Sequence, residues 1–197
     1  MAIEKLKTRI RRKQIAQAAL DIVSAGGLQQ LSVAAVARCV GLVPSALYRH
    51  FRNKDEILNL TVELIHSKLL DNVAAVREQT QDPLERLHQL FCRHIHLIQE
   101  NRGIPVVIFS RDFHADLPER KGRIFGVIRS YLNEVACLLG QAQSAGQIAE
   151  TVDVGAAAVL FLGLIQPSMI LWHLSDGDFD VTRQAQKVWP LFLKALQ

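Results

Sequence analysis

Residues 31–58 read LSVAAVARCVGLVPSALYRHFRNKDEIL. Val33, Val36 and Ala37 recur at helical spacing, and Ser32 stands where a helix N-cap belongs. Leu31 and Val36 are placed to close a hydrophobic staple across that cap. Gly41 ends the pattern. Pro44 suits the first position of a second short helix, expected over 44–51 and carrying Tyr48, Arg49 and His50. Two short helices joined by a Gly-containing turn of about three or four residues form the helix-turn-helix pattern, whose second helix enters the DNA major groove.

The flanks agree with this reading. Upstream, Ile15, Ala18, Ala19 and Ile22 give an inward helical face over 10–24, and Gly26-Gly27 ends it. Downstream, Asn53 is a good cap for a fourth helix, with Glu56 three residues on to complete a capping box. Lys54 and the open N–H groups of that first turn are placed to hold a phosphate. Asp55 and Glu56 would repel DNA if they faced it, so they are expected to point elsewhere. Residues 1–54 carry ten Lys or Arg and two acids, a net of +8, while residues 55–197 carry a net of −4. The overall +4 therefore hides a basic head on an acidic body. A charge run is most often a solvated face, but this one coincides with the helix-turn-helix, which points to a polyanion. Residues 5–13 look like a basic arm, either frayed in solvent or adding minor-groove and backbone contacts.

Here the chain resembles the TetR-type transcriptional regulators of bacteria. The residues that carry the resemblance are Ile15, Ala18-Ala19, Gly26-Gly27, Ser32, Val36-Ala37, Gly41, Leu47-Tyr48, His50-Phe51 and Lys54. The match covers about residues 9–58. Val43 departs from it, since Ser or Thr is usual there, and it is a poor cap for the helix it precedes. The resemblance implies an all-α fold of about nine helices. A helix-turn-helix domain over 1–54 would be followed by a ligand-binding and dimerisation domain over 55–197. It also implies that Tyr48, His50 and Lys54 contact phosphates. Ser45 and Ala46 sit near the N-terminal end of the recognition helix, where a hydroxyl reaches a base edge or phosphate and a methyl meets thymine. Arg49 reaches either a guanine or a phosphate. Ser32, capping the second helix, completes the DNA-facing set.

The body is legible mainly as helices. Starts are signalled at Asp82-Pro83, Asp116-Leu117-Pro118 and Asp153, with a sixth helix over 106–114 and loops at Gly146 and 175–178. The small residues Ala157 and Gly163, with Trp189, Phe192 and Leu193, read as half of a four-helix homodimer interface, as the resemblance implies. A two-fold dimer would read an inverted-repeat operator in double-stranded DNA. Phe91, Ile95, Phe109 and Phe113 are candidate walls for a small hydrophobic ligand, together with Phe125, Ile128, Phe161 and Trp172; any of them is equally suited to plain core. Ligand binding would move the fourth helix and spoil the spacing of the two heads, releasing a repressor from its operator.

Other classes fit less well. Residues 154–172 are strongly apolar but broken by Gln166, Pro167 and Ser168, so they read as a buried or interface helix and not a membrane span. Cys39, Cys92 and Cys137 form no disulfide framework, and with no apolar leader segment a cytoplasmic location is expected. His88, Cys92 and His96 share a helical face, but the outer two lie about 12 Å apart and cannot share one ion. No metal or cofactor is expected. No phosphate loop, nucleophile elbow or zincin motif is present, so the chain is not expected to be an enzyme. One further class is a ligandless DNA-organising protein of the same fold, with a filled body core and many chromosomal sites.

Overall fold

The computed structural model describes residues 2–110 and 118–197. Among them are nine α-helices and no strand: α1 Ala2–Gly26, α2 Val33–Cys39, α3 Pro44–Tyr48, α4 Lys54–Gln79, α5 Pro83–Glu100, α6 Gly103–Phe109, α7 Pro118–Ser144, α8 Val154–Leu174 and α9 Val181–Ala195. A 3-10 turn at Leu28–Gln30 follows α1. Short polar side chains set most helix starts. Ser32 Oγ accepts the Ala35 N–H at 3.1 Å, and Asp82 Oδ1 accepts that of Glu85 at 3.0 Å. Asp153 and Asp180 do the same for α8 and α9. The Glu85 N–H, and after it the Gln147 amide, hold the Asp82 carboxyl below its usual pKa. Each such cap contributes about 1 kcal/mol.

The chain forms two compact units, Met1–Ser67 with Glu100–Val127, and Lys68–Gln99 with Ile128–Gln197. This division differs from a boundary at residue 54, because α6 and the start of α7 pack with the head. In the first unit Ile15, Ala19, Leu20 and Val23 of α1 are buried together with Val36, Leu47, Phe51, Ile57 and Ile65. Gly103 of α6 lies against the α1 backbone, and a Cβ there would run into the Leu20 carbonyl. Only glycine permits that approach.

In the second unit the core is aromatic. Phe91 stacks on Trp189 at 5.7 Å and meets Phe161 edge-on at 5.9 Å, and Phe192 joins both Phe161 and Trp189. His94 Nδ1 and the Tyr131 hydroxyl are 3.0 Å apart, both side chains buried. Arg77 donates to Glu134 at 2.6 Å, which ties α4 to α7. α8 is apolar on every side, long and apolar enough to cross a membrane by length and composition alone. One of its faces is buried, through Ala158, Phe161, Ile165, Met169 and Trp172.

Three boundaries differ from the sequence expectation. α1 begins at Ala2, so basic residues 5–13 lie in a helix and not in a loose arm. α3 stops at Tyr48, leaving Arg49 and His50 in the turn that follows. α6 spans Gly103–Phe109, earlier than the expected 106–114, whose end lies outside the described residues.

Candidate nucleic-acid interface

The turn between α2 and α3 is closed by a Schellman arrangement. Gly41 takes φ +69°, its N–H bonds the Arg38 carbonyl at 3.2 Å, and the Leu42 N–H bonds the Ala37 carbonyl at 2.8 Å. This positive φ is why glycine stands there. Val43 offers α3 no side-chain cap, and the helix start is held by the Ala46 N–H on the Val43 carbonyl. Leu47 and Phe51 are buried and anchor α3 from beneath.

That anchoring turns a defined set outward. Val43, Pro44, Ser45 and Tyr48 are exposed, Tyr48 at 51%, and Ala46 is half-buried. Arg49 and His50 are exposed just past the helix end. Ser32 is also exposed; its oxygen is taken by the α2 cap, while its hydroxyl hydrogen is left to donate outward.

The start of α4 supplies the second part of the surface. Asn53 Oδ1 accepts the N–H groups of Asp55 and Glu56 at 3.0 and 3.1 Å. Glu56 Oε2 reaches back to the Arg52 N–H at 2.9 Å, one residue before the cap. Lys54 is exposed at the head of this turn. The two acids are both engaged: Glu56 on the Arg52 N–H, and Asp55 on the Arg120 guanidinium of α7 at 2.7 Å. Arg120 is the residue that sequence reading missed. Its side chain is 7% exposed, and no local pattern ties it to a carboxylate 65 positions earlier. In α1, Arg9, Arg11, Arg12 and Lys13 are exposed, with Arg12 on Glu63 at 3.3 Å.

The residues expected to line a ligand site fall in both compact units. Phe91 and Phe161 are closed into the ring cluster and have no surface left for a ligand in this arrangement; Ile95 and Trp172 are also buried. Ile128 is half-buried, Phe109 and Phe125 are exposed, and Phe113 lies outside the described residues. Of the expected dimer residues, Ala157, Trp189 and Phe192 are buried within the single chain, Trp189 and Phe192 in its aromatic cluster. Leu193 is half-buried, and only Gly163 faces out. His88 lies against Trp189 at 4.9 Å, and Cys92 Sγ sits 3.8 Å from His88 Nε2, with burial pushing its thiol pKa up. No group of three metal-ligating side chains occurs among the described residues.

Comparison with known proteins decides the family. The pattern described as "Bacterial regulatory proteins, tetR family" matches residues 15–61, and that described as "Tetracyclin repressor-like, C-terminal domain" matches residues 80–196, more than half of the chain.

The chain belongs to the TetR family.

It is a DNA-binding regulator, and TetR-family regulators generally bind small molecules and are generally dimers. The "Fatty acid metabolism regulator protein" of Bacillus subtilis (strain 168) is 23% identical over 186 residues, covering 93% of this chain and 94% of the relative. The "Nucleoid occlusion factor SlmA" of Enterobacter sp. (strain 638) is 25% identical over 201 residues, covering 100% of both chains. Among solved structures, the regulator FadR from Bacillus subtilis in complex with stearoyl-CoA matches with a TM-score of 0.77 at 23% identity, over 93% of this chain and 98% of that one.

Proposed function

We propose that the chain is a homodimeric repressor acting in the cytoplasm, released from an inverted-repeat operator by a ligand with a long apolar tail, of the acyl-thioester class. Ser32, Ser45, Ala46, Tyr48, Arg49, His50 and Lys54 form its DNA-reading surface. Phe109 and Phe125, exposed apolar side chains of the first unit, are its candidate ligand contacts. The observation that carries the ligand class is the relative crystallised with stearoyl-CoA, which shares the fold along nearly the whole length of this chain.

The dimer reading rests on a seam along α8. Ala156, Leu160, Gly163, Pro167, Ile170 and Leu174 are all exposed and recur at alternating steps of four and three. That is the spacing of a helix face packed against another helix, with small residues allowing close approach. Leu174 at 75% and Leu191 of α9 at 62% are large apolar side chains left bare in the single chain. Exposed apolar side chains of this size support an interface reading.

A gel-shift titration against DNA upstream of the chain's own gene and its neighbours tests this reading. Tight, competitor-resistant binding to one fragment that is lost on adding stearoyl-CoA supports it. Binding that ignores acyl thioesters removes the ligand class.

A second reading is a ligandless DNA-organising protein. The end-to-end match to a nucleoid occlusion factor and the closed packing of Phe91, Phe161, Trp189 and Phe192 favour it. Chromosome-wide mapping separates the two, since an organiser occupies many dispersed sites and a repressor one or a few.

A further inference from the structure

We propose that Arg120, far from the helix-turn-helix in sequence, is a determinant of DNA affinity because it neutralises and holds Asp55 in the phosphate-facing first turn of α4. The inference rests on the DNA-binding reading and deepens it.

The Lys54 side chain, at the positive end of the α4 dipole, is the natural seat of a DNA phosphate, since Asn53 already takes the N–H groups of Asp55 and Glu56. Asp55 is the next residue, 40% exposed in its side chain, in the same turn. A carboxylate there suits the helix dipole but opposes a phosphate anion held one residue away. Arg120 Nη2 donates to Asp55 Oδ1 at 2.7 Å from a side chain that is 7% exposed. A pair with one buried partner is weakly screened by salt, so the carboxylate is countered at the ionic strengths at which DNA is bound. Asn53 takes the backbone N–H of Asp55, so the carboxylate does not serve as the cap and is left to the guanidinium.

Arg120 lies in the first turn of α7, inside the region that the C-terminal family pattern covers and outside the N-terminal one. It nevertheless packs in the same compact unit as the helix-turn-helix. Any displacement of the start of α7 is thereby read as a change of charge beside the phosphate seat. Withdrawing Arg120 bares Asp55 and weakens every DNA complex, whatever its sequence.

The test compares wild type, Arg120→Gln, Arg120→Lys, Asp55→Asn and the Arg120→Gln/Asp55→Asn double variant. Affinity is measured on a duplex from upstream of the gene and on an unrelated duplex of equal length, at two salt concentrations. Arg120→Gln is expected to weaken both complexes about tenfold. Arg120→Lys keeps the charge and stays within about threefold of wild type, and Asp55→Asn tightens binding by a similar factor. Adding Asp55→Asn to Arg120→Gln restores affinity, because the carboxylate that Arg120 had countered is gone. A merely structural Arg120 predicts the opposite, with the double variant as weak as Arg120→Gln and its thermal midpoint as low. That result, or an Arg120→Gln variant that binds like wild type, overturns the proposal. A wild-type chain that binds neither duplex removes the DNA-binding reading itself, and this inference with it.

Discussion

His94 and Tyr131 share a hydrogen bond within the second unit, and burial pushes the His94 imidazole down to about 4 and the Tyr131 phenol well above its ordinary range. The folded chain therefore resists protonating His94, while the unfolded chain takes that proton near the ordinary histidine value. The resulting stability is complete above about pH 6.5 and is lost progressively as pH falls towards 4, with up to about 3 kcal/mol at stake. Thermal midpoints measured across that window should drop for wild type, and the drop should flatten in His94→Gln. Lys54 makes a prediction of a different kind. Removing one phosphate contact lowers affinity without touching sequence preference, so Lys54→Ala should weaken operator and unrelated DNA alike and reduce the slope of log affinity against log salt by about one. Titrations at several salt concentrations check it.

The helices show how local signals and tertiary contacts divide the work. Gly41 and Ser32 act within their own turns, so α2 and its exit are explained by neighbours in sequence. Gly103 acts across the unit. It begins a short helix whose place depends on backbone-to-backbone contact with Leu20. Gly103→Ala puts a methyl group where the Leu20 carbonyl stands, and a close-packed contact of this kind cannot relax cheaply. The expected cost is about 1–3 kcal/mol in urea unfolding. Operator affinity should fall as well, because α1 braces the helix-turn-helix. A variant with wild-type stability would mean that the two backbones can separate without loss.

The α8 seam bears on the proposed assembly. A helix apolar on all sides normally lies inside a protein, yet half of this one faces out of the single chain. A Leu160→Asp/Ile170→Asp variant should shift the chain from dimer to monomer in sedimentation analysis. Operator binding should weaken by far more than either half-site contact explains, since two heads on one dimer bind with a large effective concentration. A seam variant that remains dimeric places the interface elsewhere.

The helix-turn-helix was readable in advance because its determinants are local. A cap, a left-handed glycine, a proline at the first helical position and two apolar anchors all lie within 28 residues. The charge contrast between head and body was equally plain, since charge needs only counting. Helix ends were less legible: α3 stops before Arg49, and α1 extends to Ala2 although the dense basic charge of residues 5–13 reads as a solvated arm. Apolar residues of the body defeated sequence reading for a related reason. Trp189, Phe192 and Phe161 have the composition of an interface or a ligand wall as much as of a core, and only their mutual packing assigns them to the core. Gly163 and Leu160, on the same helix as Phe161, are turned out by the same packing. By itself the sequence determined the all-helical class, the helix-turn-helix head and its charge. The tertiary structure decided which apolar faces are spent inside the chain, and it brought Arg120 to Asp55, because burial and ion pairing depend on neighbours distant in sequence.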